Sequence, residues 1–219
     1  MSEDLQLLSL PLFPLNTVLF PGGLLPMRIF EVRYLDMIGK CHKTGAPFGV
    51  VALTQGHEVR LPDPTGAATD GFATESFHAV GTLASITAYV APKPGLVLVR
   101  CEGTQRFQML RHEKLKHGLW LADVRALPQD RSISIPDDLK KVARALNNLI
   151  STLVQRGLPQ DDIPLQAPYQ LDDCAWVANR WCELLPLATE TRQRLMALDN
   201  PLVRLELVSD LLDHHGIAL

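Results

Sequence analysis

The feature that most constrains this chain is a change of hydrophobic period close to residue 130. From Leu8 to about Leu127, short apolar and β-branched runs such as FGVVALT, LVLVRCEG and LWLADVRAL are separated by Pro, Gly and charged residues. That pattern describes strands joined by turns. After ALPQDRSISIP the period changes, and Leu139, Val142, Ala143, Leu146, Leu149, Ile150, Leu153 and Val154 fall on one stripe at spacings of three and four, which suits a helix. Pro136 stands near its first position, Asp137 and Asp138 lie in its first turn, and Gly157 follows its end. Further helices are expected near Asp172, near Thr189 and at Pro201, the last capped by Asn200 and closing on His214, His215 and Gly216. The stretch from Gly157 to Tyr169 reads as a connection between helices. The expected class is α+β, with a β-rich part over residues 1–130 and a helical bundle over 131–219.

Within the β-rich part, Pro11, Pro14, Pro21 and Pro26 cannot donate to a ladder. The runs that hold them are therefore expected at edges, strand starts or bends. Ile29, Phe30, Tyr34, Leu35 and Ile38 recur at helical spacing, which predicts one helix inside the β region, stopped by Gly39. Lys93, Pro94 and Gly95 predict a hairpin turn, and the Pro-, Gly- and Thr-rich segment between Glu58 and Phe77 predicts a long exposed loop.

Charge excludes little but points away from nucleic acid. Residues 1–130 hold 12 Lys and Arg against 12 Asp and Glu, and residues 131–219 hold 9 against 12, so the formal charge of −3 belongs to the second part. The one dense basic cluster is Arg111, His112, Lys114, Lys116 and His117. It reads as a solvated turn between strands, since a nucleic-acid surface needs a concentrated positive stripe. The start MSEDLQ is acidic and the apolar runs are short, so neither an export leader nor a membrane span is expected. Cys41, Cys101, Cys174 and Cys182 form no CxxC pair and read as reduced, buried thiols of a cytoplasmic protein, with no metal site.

No GxSxG elbow, HExxH or protease-type Cys signature is present. His112 and His117 are five apart and His214 and His215 adjacent, neither spacing placing two imidazoles on one helix face. No catalytic residue, metal ligand or cofactor site is therefore expected. Arg28, Glu31 and Arg33 are candidates either for a polar rim at a binding surface or for a carboxylate–guanidinium lock between helix and barrel, with the lock favoured. Arg106 is read the same way. Phe30, Tyr34 and Phe107 read as core more readily than pocket. Trp176 and Trp181 lie five apart on a predicted helix and cannot both point directly inward, so one of them is a candidate anchor for an extended polypeptide, with core or interdomain packing the favoured role.

The opening LPLFPLNTVLFPGGLLPMRIFEVRYLDMI resembles the start of the Lon protease N-terminal, substrate-binding domain family. The resemblance continues through FGVVAL, VGTLASI and the Gly103-to-Phe107 element to ALDNPLVRLELVSDLL, covering essentially the whole chain. It implies a PUA-like β pseudo-barrel followed by a C-terminal helical bundle. Full Lon proteases continue into an ATPase with a GxxxxGK(S/T) phosphate loop and a Ser/Lys protease. Here Gly39 and Lys40 are followed by Cys41 and lack the preceding glycine spacing, so no nucleotide is expected to be cradled. The expected function is non-catalytic recognition of exposed apolar segments, the residues concerned being Arg28, Phe30, Glu31, Arg33, Tyr34, Trp176 and Trp181. The groove is expected at the junction of barrel and bundle. The expected partner is an unfolded or partly folded polypeptide, with a protease or chaperone acting in trans. RNA binding, by analogy with other PUA-like barrels, and a small-molecule ligand are the alternatives.

Overall fold

The computed structural model describes residues 5–63, 66, 71–157 and 164–217. The middle of the expected 58–77 loop and of the 157–169 connection lie outside that set. The chain divides into two compact units, Met1–Pro128 and Gln129–Leu219.

The first unit is a curled sheet of seven strands, β1 (Gln6–Leu15), β2 (Leu24–Ile29), β3 (Phe48–Gln55), β4 (Ser76–Phe77), β5 (Val80–Lys93), β6 (Leu96–Lys114) and β7 (Trp120–Ala126), with one helix, α1 (Val32–Thr44). Strand order runs β1-β7-β6-β5-β3-β4, and β1 also pairs with β3, so five strands close into a ring. The closing strand is β1. Gln6 to Leu12 run antiparallel to β7, and Leu12 to Leu15 run parallel to β3. Leu12 faces Trp120 on one side and Gly49 on the other, so the two partners flank opposite sides of β1.

This arrangement corrects the expectation for Pro11 and Pro14, which sit within a strand that closes the barrel. The strand changes partner at Leu12, so each half has a ladder on one side only, and an absent N–H can be accommodated on the other. Pro26 does lie in a strand with a single partner, as expected of an edge. The hairpin at Pro94 and Gly95 forms, with Gly95 at φ 77° between two long strands.

α1 buries Arg33, Tyr34, Met37, Ile38 and Cys41 on one face. It passes through Gly39, contrary to the expected stop there, and ends at Gly45 in the left-handed conformation. The space around Gly39 is open. Its cost in a helix, about 1 kcal/mol relative to alanine, is outweighed by burial of Ile38 and Cys41 on either side of it. Both belong to a core that includes Phe13, Tyr34, Phe48, Val99 and Cys101.

The second unit contains α2 (Lys140–Gln155), α3 (Cys174–Leu184), α4 (Thr189–Ala197) and α5 (Pro201–His214), with a 3-10 turn over Asp137–Leu139. Asp173 caps α3, and the Asn200 side chain accepts from the N–H of Leu202 and Val203 at the head of α5. Arg204, almost wholly buried, donates to Asp130 and Asn179 and to the Leu195 carbonyl.

Candidate functional site

The IFEVRY segment turns from β2 into α1. Glu31, the N-cap residue, accepts from Arg33 Nε at 3.2 Å. Arg33 is buried, reaches Glu75 Oε1 at 3.3 Å and donates to the Gly118 carbonyl at 2.9 Å. The expected lock therefore exists, but its main acceptor was not foreseen. Glu75 lies in the segment read from sequence as exposed loop, yet it is 8% exposed and also accepts from Trp120 Nε1 at 2.8 Å. A buried carboxylate must be paired, and Arg33, Lys114 and Trp120 surround this one. Nothing in a stretch without periodicity marks Glu75 out beforehand. Arg28 takes no part in the lock, being exposed on β2. Arg106 is buried in β6.

Tyr34 packs its ring on Phe13 of β1, and burial pushes its phenol above the ordinary tyrosine range against the pull of the Arg33 guanidinium. Tyr34 and Phe107 are core, as expected. Phe30 is not: it is 53% exposed, because the chain leaves β2 at Ile29 and the helix begins only at Val32.

β2 pairs with β6 from Leu24 opposite Glu102 to Ile29 opposite Val97, and with no other strand among the described residues. Gly103 donates its N–H to the Gly23 carbonyl at 2.9 Å, which sets the phase of the ladder. Counting from that pair, the main-chain groups of Leu25, Met27 and Ile29 face β6, and those of Leu24, Pro26 and Arg28 face away from it. Pro26 thus stands where its missing N–H costs no ladder bond.

A groove of about 350 Å³ follows this free edge. Five consecutive residues, Leu25 to Ile29, line it. Successive strand side chains point to opposite faces, so a cavity touching all five must run along the edge. The opposite wall is Phe13 and Leu15, in the part of β1 that β7 no longer covers. β2 and β7 lie on the same side of β6, opposite β5. The groove therefore lies between the free edge of β2 and the part of β1 that runs past Leu12. Tyr34 reaches it from α1, and Phe30 and Val59, the latter 42% exposed, form its rim.

Two carboxylates join the lining, each held by an internal donor, Glu31 by Arg33 and Glu58 by the Asn16 N–H at 2.6 Å. Arg28 is the one cation of the lining, which holds no His, Cys, Ser or Lys. Such a surface offers apolar contact and main-chain hydrogen bonding. Of the sequence candidates, Arg28, Phe30, Glu31 and Tyr34 are brought together here, and Arg33 sits behind them as a positioning residue. Phe13, Leu15, Leu25, Met27, Glu58 and Val59 were not foreseen, although Pro26 in a short β run signals the edge beside which most of them lie. All of its lining residues belong to the first unit.

In the second unit Trp181 is buried and donates from Nε1 to the Val142 carbonyl at 3.1 Å. It is therefore core and cannot serve as an anchor. Trp176 is half-buried against Tyr169, with the Arg180 guanidinium 5.9 Å from its ring centre. The basic cluster lies at the β6–β7 turn, where Arg111 pairs with Asp123 and Lys114 with Glu75, so part of its charge is neutralised locally. The four cysteines are buried and unbridged, and burial pushes the thiols of Cys101 and Cys182 up to about 12.

The family described as the ATP-dependent protease La (LON) substrate-binding domain matches residues 9–214. A Lon protease of Flavobacterium johnsoniae is 22% identical over 203 residues, and one of Paraburkholderia phytofirmans 30% identical over 96 residues, 43% of this chain. The chain matches only 23% of the first and 11% of the second. A Lon N-terminal domain protein from Xanthomonas campestris superposes with a TM-score of 0.69 at 30% identity, covering 93% of this chain and 98% of that one. The N-terminal domain of a Mycobacterium avium complex Lon protease has the same fold, with a TM-score of 0.60 at 16% identity over 94% of this chain and 99% of that one.

Proposed function

Since the chain belongs to the Lon substrate-binding domain family, we propose that it is a non-catalytic module that recognises exposed apolar segments of unfolded or partly folded polypeptides, and that the groove along β2 is where it does so. The observation that carries this reading is the groove beside the unpaired edge of β2. An apolar trough with an exposed aromatic rim lies beside a strand edge whose main-chain groups are free to bond, and a polypeptide supplies both complements at once. Cytoplasmic location, where four buried thiols stay reduced, and hand-over to a protease or chaperone in trans belong to the same proposal.

The test is fluorescence anisotropy of a labelled, permanently unfolded polypeptide against the purified protein, with its folded counterpart and a single-stranded RNA as controls. Micromolar binding to the unfolded chain alone is expected. Phe30→Ala should weaken it about tenfold, the effect of truncating an exposed anchor, with no loss of thermal stability. Equal binding of the folded counterpart, preference for RNA, or indifference to Phe30→Ala would overturn the reading.

A further inference from the structure

Resting on that reading, we propose that the bound segment is taken up as an added β-strand on β2, its main chain bonded to Leu24, Pro26 and Arg28 and its alternate apolar side chains seated in the trough. Six residues of β2 span about 20 Å, room for a segment of similar length. The phase of the β2–β6 ladder leaves five main-chain groups for such a strand: the carbonyls of Leu24, Pro26 and Arg28, and the N–H groups of Leu24 and Arg28. Side chains on one face of the incoming strand would meet the half-buried Leu25 and Met27 over a floor of buried Phe13, Leu15 and Tyr34, and those on the other would face outward. The preferred segment therefore alternates apolar with polar residues, instead of being uniformly apolar.

A second copy of this chain is the competing occupant. Two β2 edges paired about a twofold axis at their centre would set Pro26 against Pro26, with no N–H on either strand to close that pair. An incoming segment without proline there donates its own N–H to the Pro26 carbonyl. The edge is thus unsuited to self-pairing while still able to accept a foreign strand.

The probe is a fluorescein-labelled synthetic peptide of about ten residues, alternating leucine with threonine and ended by lysines, matched to the span of β2. Each of its amides is N-methylated in turn. Strand addition predicts a loss of about tenfold at every second amide across the contact and little effect between, since only alternate N–H groups face β2. On the protein side, Arg28→Pro removes an outward N–H without cutting a bond to β6 and should weaken binding about tenfold beyond Arg28→Ala, which loses the same side chain but keeps that N–H. If N-methylation has no period of two while Phe30→Ala still weakens binding, strand addition is overturned and the groove reading survives. If neither N-methylation nor Phe30→Ala matters, both fail. A dimer dissolved by Arg28→Pro, with no uptake of peptide, would assign the edge to a second copy and also overturn the proposal.

Discussion

The ring of Phe13 lies on the ring of Tyr34, centroids 4.0 Å apart and planes within 15° of parallel. This contact joins the strand that closes the barrel to α1, and both rings line the groove. Truncation of either residue to alanine is expected to cost about 3–5 kcal/mol, read as a fall in the denaturant midpoint. Tyr34→Phe keeps the stack and should change stability by less than about 1 kcal/mol. A large loss in Tyr34→Phe would show that the hydroxyl, not the stack, matters.

Glu75 is a second test of how α1 is held. Removing its carboxylate leaves Arg33 buried beside Glu31 alone, and Glu75→Ala should cost about 3 kcal/mol or more. Joint replacement by Arg33→Met and Glu75→Leu should cost less than Glu75→Ala, because the most deeply buried charge is then removed with its partner instead of being stranded. Additive losses in a double-mutant cycle would refute the coupling.

The two tryptophans of α3 should separate cleanly. Trp181→Ala empties a core position and loses an indole hydrogen bond to Val142, with an expected cost of about 3–5 kcal/mol. Trp176→Ala, half-buried beside Tyr169, should cost about 1–2 kcal/mol. Thermal melts of both variants rank them directly, and a reversed order would contradict the burial.

Glu183 gives the second unit a pH dependence. Burial pushes its carboxyl up to about 7, against the pull of Arg180 and Arg192. An acid with a raised folded pKa holds its proton longer in the folded state than in the unfolded one. Stability is therefore greatest below the unfolded value of 4.5 and declines as pH rises to about 7, flattening above. The expected loss is about 3 kcal/mol, measured as the difference in unfolding free energy between Glu183→Gln and the unsubstituted protein across that window. Parallel curves would remove Glu183 as the cause.

Much of this architecture was legible because its signals are local. The helical stripe from Leu139 to Val154, the Asn200 cap and the Pro94–Gly95 turn are each specified by residues within one element. Gly39 misled for a related reason: a glycine ends a helix only where the apolar face also ends, and here that face runs on through Cys41. The groove was half legible. The IFEVRY segment and the proline of β2 mark its near wall, but Phe13, Leu15 and Val59 enter through pairing of distant strands and a loop. Glu75 was hidden for the same reason, since its burial depends on Arg33 and Trp120, each more than forty positions away.

The change of partner within β1 also sets an order of events during synthesis. Its ladder with β7 joins Gln6 to Arg125, so more than a hundred residues must leave the ribosome before the barrel can shut. The β5–β6 hairpin can zip from its own turn and Leu12–Leu15 can pair with β3, while Gln6–Pro11 waits for β7. Until β7 arrives the nascent chain presents the unpaired Gln6–Pro11 run of β1 in addition to the edge of β2, which stays open in the finished fold. A protein proposed to recognise unfolded segments is, through that interval, such a segment itself.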